Sequence, residues 1–459
     1  MDLRTTNNLN KKTQLEVSSD STEIISASAP GRLDVMGGVA DYSGSLVLQA
    51  TIKERTTVFI SNRSDGKIFL STSFTKEEIT IDSSLLNQLD YDKIKAQVKC
   101  DWPHYVLGCL FLIATEKNIT IKGLTLNIES NVPAGKGVSS SAAIEVATLT
   151  ALNKFYKLNL GDKELPTLAQ QVENTLVGAP CGIMDQLSSY LGDENKLLPI
   201  LCQPDITFDT IKIPENMHFI GIDSGIRHSV GGASYGDVRT AAFMGYSIIA
   251  KHLGVSNELL NEAKKSSDWS ALPYKGYLAN IAPSDFTNRL SLLIPELISG
   301  KEFIEEFGFT IDKITSPIPE KNYYLKACTV HPIQENFRVK LFVSLLESLN
   351  QLVNNNETTL KTLATLGELM YQSHASYSLC GLGNKNTDIL MNLSKEIGPE
   401  NGIFGAKISG GGSGGTVVFL AYGEEGLRSI DTIKELYKKT TLIDPYIFSG
   451  SSKGGKYNK

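Results

Sequence analysis

The sequence predicts an α+β fold arranged in two lobes. Strand-like and helix-like segments intermingle along all 459 residues, the length leaves room for two or three domains, and no repeat or low-complexity linker interrupts the chain. Thr57–Ser61 and Leu124–Ile128 are rich in β-formers and read as strands. Ala142–Tyr156 is apolar nearly all round, which suits a helix buried on most faces. Leu165, Leu168, Val172 and Leu176 stripe a second, amphipathic helix. His218–Ile222 reads as a strand opening the second half, followed by helices over Tyr235–His252, Asn336–Leu349 and Leu360–Ser376. A strand–turn–strand over Ile403–Ala421 and a helix near Glu424–Lys438 complete the pattern. The expected organisation is a polar, disordered tail over 1–20, a first lobe over 21–215 and a second over 216–459. The Ser/Gly/Lys-rich stretch Ser449–Lys459 is expected to fray.

Composition limits the partners. Forty-four basic against fifty acidic residues give a net charge of −6, which argues against nucleic acid or an anionic membrane. The longest apolar run, Val106–Ala114, is nine residues, far short of the ~20 that a membrane span needs. The first residues carry no apolar signal core, and the six cysteines form no CxxC pair. A cytoplasmic protein with reduced thiols is expected, as a monomer or weak homo-oligomer.

Two small-residue turns stand out. Pro133-Ala134-Gly135-Lys136-Gly137-Val138-Ser139-Ser140-Ser141 lies between a predicted strand and the buried helix. Read alone it is either a serine-capped helix start or a loop whose free N–H groups and hydroxyls hold an anion. No Gly-Lys pair is followed by Ser or Thr, so this is not a Walker A loop. The second turn, Ser409–Gly415, belongs to a stretch with seven glycines between 402 and 415. Strand-like residues flank it directly, which favours close backbone approach over a flexible linker. Arg32 and Asp185 are charged residues in small or apolar surroundings. Spacing alone leaves them open as an ion-pair residue and a helix cap.

Taken together these segments resemble the galactokinase family of the GHMP small-molecule kinase superfamily. Gly31-Arg32-Leu33-Asp34-Val35-Met36-Gly37-Gly38-Val39-Ala40-Asp41-Tyr42 resembles its sugar signature, Pro133–Ala143 its phosphate loop and Lys407–Gly415 its third glycine motif. Gly178–Gln186 and the stretch from Arg227 to Tyr235 also match. The resemblance implies a two-lobed GHMP kinase fold, with a ribosomal protein S5 domain 2-like first lobe, a GHMP second lobe and the active site between them. It implies transfer of the γ-phosphoryl group of ATP to a sugar's anomeric hydroxyl. Asp185 then takes the base position and Arg32 the position that stabilises charge on the phosphoryl group. A carboxylate beside a guanidinium is a weak base, so Asp185 is expected to orient the hydroxyl and accept its proton late. Gly135, Gly137, Ser139, Ser140 and Ser141 match the ATP-binding loop, and Ser141 with Glu173 matches the Mg²⁺ ligands. Asp41, Gly182 and Tyr235 match sugar-contact positions.

The departures from the family point to the substrate. Gly38-Val39 stands where galactokinases carry Glu-His, the pair that holds the exocyclic hydroxymethyl of galactose. L-Arabinopyranose has the ring stereochemistry of D-galactopyranose without that group. Gly31–Leu48, Asp223–Gly245 and Ser376–Thr387 look closer to plant-type L-arabinokinases, whose long amino-terminal extension this sequence lacks. L-Arabinose is therefore the expected acceptor, with galactose as the alternative and a non-catalytic sugar- and ATP-binding regulator as the second. Asp34 replaces an asparagine of the signature, and its charge is expected to pair with Arg55 or Lys53. His374 and Tyr377–Asn384 are expected to pack structurally.

Overall fold

The computed structural model describes residues 23–227, 233–351 and 356–457. The expected tail over 1–20 and His228–Gly232 of the Arg227–Tyr235 stretch lie outside the described residues.

The first lobe is built on an eight-stranded sheet: β1 (Ile25–Met36), β2 (Leu46–Asn62), β3 (Lys67–Thr72), β4 (Ile79–Asp82), β5 (Leu124–Ser130), β6 (Lys196–Leu201), β7 (Ile206–Thr207) and β8 (Ile211–Lys212). Its order is β4-β3-β5-β2-β6-β7, with β1 also on β2 and β8 also on β6. β2 shows the cause of its own placement: Ile52, Glu54, Thr56, Val58 and Ile60 alternate inward at the strand period of two. β1 pairs antiparallel with β2, but the register slips between Pro30 and Arg32 and again between Asp34 and Met36. Such bulges re-aim side chains beside active sites, and here they bracket Arg32 and Asp34. The helix Ser140–Tyr156 buries every residue from Ala142 to Leu152, as its all-round apolar sequence requires. It packs with the helix Trp102–Glu116 into one core over the sheet.

β9 (Met217–Asp223) opens the second lobe, β10 (Ile298–Ser299) and β11 (Asn322–Tyr323) form a small ribbon, and β12 (Ile403–Ile408), β13 (Thr416–Tyr422) and β14 (Ile447–Phe448) join β9 in the order β12-β13-β9-β14. Long helices Ala233–His252, Leu325–Gln351 and Asn356–Leu379 flank these strands. One apolar core crosses the lobe boundary, running from Leu33, Leu48 and Ile52 to Phe219, Phe342 and Val418.

Two expectations are corrected. The amphipathic stripe is not one regular helix: Glu164–Gln171 is α-helical, and Val172–Val177 continues as a π-helical turn that carries Glu173. Ser449–Tyr457 does not fray. Ser452 donates to the Ile52 carbonyl at 2.7 Å and accepts from Arg55 at 2.9 Å, while Gly454 N–H donates to Gly192 at 2.8 Å. Small residues let this segment lie flat on the first lobe, where its backbone groups find partners.

No helix among the described residues is long and apolar enough to cross a membrane.

Candidate active site

Arg32 and Asp185 meet although 153 residues separate them. Arg32 Nε and Nη2 donate to the two Asp185 carboxylate oxygens, each at 2.8 Å, and Nη1 donates to the Gly137 carbonyl at 2.7 Å. This two-pronged pairing fixes orientation as well as distance. Ser139 Oγ donates to Asp185 Oδ2. Arg32 is 3 % exposed; burial alone would lower its pKa, but the Asp185 carboxylate outweighs it and raises it. Asp185 sits in the first turn of the helix Met184–Leu191, where free N–H groups favour a carboxylate.

Two cavities flank this pair. The first, of about 600 Å³, is lined by Arg32, Gly135, Gly137, Ser139, Ser140, Ser141 and Glu173. The second, of about 400 Å³, is lined by Asp41, Gly182, Arg239, Asp312, Trp269 and Tyr277 among others. The segment 178–183 is the wall between them, with Gly178 and Ala179 on one side and Cys181, Gly182 and Ile183 on the other. Asp185 lines neither cavity, though its charge helps raise the pKa of Asp41 and of Glu173.

Asp41 accepts the Tyr42 N–H at 2.8 Å through Oδ1, while its buried Oδ2 has no partner. Gly182 is required there, because a Cβ would overlap that same Oδ2. Burial first, and Asp185 second, push the Asp41 pKa up to about 7. Glu173 is likewise raised to about 7, chiefly by burial and then by Asp185. Each group binds its proton more tightly folded than unfolded, so the free protein loses stability as pH rises from about 4 to about 7. Asp41→Asn is expected to gain thermal midpoint over the parent progressively across that window and to level off above it. Melting curves of both proteins from pH 5 to pH 8 check this; a gap independent of pH would refute the assignment.

Among the described residues no cluster of three His, Cys, Asp or Glu side chains can hold a metal. Ser141 and Glu173 nevertheless fit a Mg²⁺ ion that takes its other ligands from phosphate and water. The Ser141 hydroxyl bonds the Glu173 carboxyl, and a cation there would relieve the burial of that charge. Gln186 holds Glu173 from behind at 2.7 Å and reaches Glu145 at 3.3 Å.

Gly38, Val39 and Tyr235, expected as sugar-contact residues, do not line the second cavity. Val39 and Tyr235 pack in the second lobe's core with Tyr42, and Tyr235 meets Tyr42 edge-on at 6.0 Å. Asp34 does not pair with Arg55 or Lys53. Its Oδ2 lies 2.7 Å from Lys407 Nζ, both side chains fully buried, and Gln49 and Gly38 N–H donate to its other oxygen at 2.8 and 3.1 Å. Arg55 turns instead to Ser28 and to the terminal segment, so it is out of Asp34's reach. Tyr377 packs as expected, but in contact with the signature: its hydroxyl accepts from Val39 N–H at 2.9 Å and donates to the Gly410 carbonyl at 3.0 Å.

Sequence reasoning missed three groups here. Arg239 pairs through both prongs with Asp312 at 2.8 Å and stacks over Tyr42 and Phe243. Trp269 lines the second cavity with an unpartnered buried indole N–H. Only Arg239 left a trace, as a charge within an apolar helix; Asp312 and Trp269 lie in irregular segments with no period to mark them.

Comparison with known proteins shows which families the chain resembles. The GHMP kinases N-terminal domain matches residues 104–193, the galactokinase galactose-binding signature residues 16–62, and the GHMP kinases C-terminal domain residues 347–439. The chain is similar to the L-arabinokinase of Arabidopsis thaliana, at 38 % identity over 95 % of its own length and 46 % of that protein's. It thus spans about half of that relative. It is 27 % identical to the galactokinase of Chloroflexus aggregans, covering 87 % of this chain and 84 % of that one. In fold it is similar to Lactococcus lactis galactokinase complexed with galactose, with a TM-score of 0.73 at 20 % identity, covering 95 % of each chain. The Methanococcus jannaschii mevalonate kinase follows at a TM-score of 0.57 and 16 % identity, covering 95 % of this chain and 100 % of that one. By these matches over both lobes, the chain belongs to the GHMP kinase family and carries the galactokinase galactose-binding signature.

Proposed function

We propose that this protein is an ATP-dependent sugar kinase that phosphorylates the anomeric hydroxyl of L-arabinose, giving L-arabinose 1-phosphate. The observation that carries the reading is the Gly38-Val39 pair inside an otherwise galactokinase-like signature. Similarity to the Arabidopsis L-arabinokinase supports it. The first cavity, with its serine-rich loop at a helix start, suits the phosphates of ATP. The second, with unpartnered Asp41 Oδ2 and Trp269 N–H, offers an acceptor and a donor to sugar hydroxyls.

Arg32, on the wall of the first cavity, holds Asp185 through both carboxylate oxygens. Asp185 has both oxygens engaged by Arg32 and one also by Ser139, so it is held rigidly and orients the attacking hydroxyl. As the hydroxyl oxygen bonds to the γ-phosphorus of ATP, the bond from that phosphorus to the β,γ-bridging oxygen breaks, ADP leaves with that oxygen, and the hydroxyl proton passes to Asp185. The pinned guanidinium of Arg32 stabilises charge building on the transferred group. Mg²⁺, when bound with ATP at Ser141 and Glu173, supplies neutralisation of the phosphate charge.

The reading is tested by kcat/KM for L-arabinose and D-galactose in a coupled ADP-release assay. L-Arabinose is expected to be preferred by about tenfold or more, the scale set by one extra group in a closed pocket. A preference for galactose would return the assignment to galactokinase, which the matched galactose-binding signature favours as the second reading. Binding of both ligands without turnover would make the protein a regulator.

A further inference from the structure

Two of the three departures in the signature, Gly38 and Asp34, are structurally linked through Tyr377. A Cβ built on Gly38 would overlap the Tyr377 hydroxyl, and it would stand 2.8 Å from Asp34 Oδ2. Tyr377 cannot yield easily. It is fully buried, its hydroxyl bridges Val39 N–H and the Gly410 carbonyl, and the Lys407 ammonium lies 5.3 Å over its ring. His331 also packs edge-on with that ring, at 5.3 Å between centroids. The hydroxyl therefore joins the sugar signature to the third glycine turn across 33 and 338 residues of sequence.

We propose that Tyr377 is the specificity-determining partner of Gly38: its hydroxyl fills the volume a side chain at position 38 would need, and so fixes the 38–39 turn for an acceptor without a hydroxymethyl group. The proposal rests on the L-arabinose reading for the sugar it names, but not for the coupling it asserts. Tyr377 acts as a positioning residue, since it lines neither cavity. A glutamate at position 38, as galactokinases carry, would meet two obstacles: the tyrosine hydroxyl and the Asp34 carboxylate.

A double-mutant cycle reads the coupling. Gly38→Ala, Tyr377→Leu and the double variant are compared by thermal midpoint and by kcat/KM on whichever of the two sugars the parent prefers. Gly38→Ala alone is expected to lose about tenfold or more in kcat/KM and to lower the midpoint, with the double variant recovering part of both losses. Additive losses, or a Gly38→Ala variant indistinguishable from the parent, would overturn the proposal, and each is legible even if the preferred sugar is galactose. A second arm reads specificity. Gly38→Glu with Val39→His is expected to gain no galactose activity, whereas adding Tyr377→Leu and Asp34→Asn to that pair shifts the galactose-to-arabinose ratio of kcat/KM upward by about tenfold. A shift already present in the two-site variant would remove Tyr377 from specificity.

Discussion

Asp185→Ala is expected to lower kcat by about 10³-fold, the usual scale for losing a positioned group that takes the reacting proton. The structure explains why the loss should fall mainly on kcat. Both Asp185 oxygens are already engaged by Arg32, so they add little to ground-state binding and act when the hydroxyl gives up its proton. Asp185→Asn should be no milder. The Asp185 oxygens accept from Arg32 Nε, Arg32 Nη2 and Ser139 Oγ. An amide would have to turn its NH₂ toward at least one of these donors, and donor against donor repels. Single-turnover measurements, with circular dichroism to confirm the fold, distinguish chemistry from binding. Unchanged turnover in a folded Asp185→Ala protein would remove this residue from the mechanism.

The second large effect concerns stability. Asp34 and Lys407 form an ion pair at 2.7 Å with both side chains fully buried. Removing one partner of such a pair costs about 3–5 kcal/mol, because the other charge is left without compensation in a medium that solvates it poorly. Lys407→Met is therefore expected to lower the unfolding free energy by that amount in urea titration. Asp34→Asn should also destabilise, although asparagine is the family's usual residue there: it keeps an acceptor for Gln49 but leaves the ammonium of Lys407 with carbonyls alone. The double variant should recover part of the loss, and strict additivity would show that the two charges do not depend on each other.

The difference between what sequence shows and hides is visible in these same residues. The apolar run of the helix Ser140–Tyr156 and the alternation of β2 declare their own geometry, since period and burial are local properties. The family segments name Arg32 and Asp185, and the structure brings them together. Asp34 needs a cation, as expected, but its partner lies 373 residues away, while the expected partners Lys53 and Arg55 stand much closer in sequence. Nothing in a one-dimensional pattern ranks Lys407 above Lys53. Glu173 hid its π-helical turn for a different reason. The apolar stripe from Leu165 to Leu176 fits an unbroken helix, and one widened turn shifts it too little to disturb the spacing. Tyr377 was legible only as packing, because overlap with an absent Cβ is a fact about space rather than about residue types.

The segment laid across the first lobe bears on how the protein is made. Thr51 in β2 donates to the Ser452 carbonyl at 2.6 Å, across 401 residues of chain. A strand translated early therefore waits for a residue translated 401 positions later before this bond can form. Contacts of such sequence separation are closed late, after most of the loop entropy has been lost. The first lobe consequently gains these particular bonds only after the second lobe's strands have been translated. Without Ser449–Tyr457, the Thr51 hydroxyl, the Arg55 guanidinium and the Gly192 carbonyl would lose these partners.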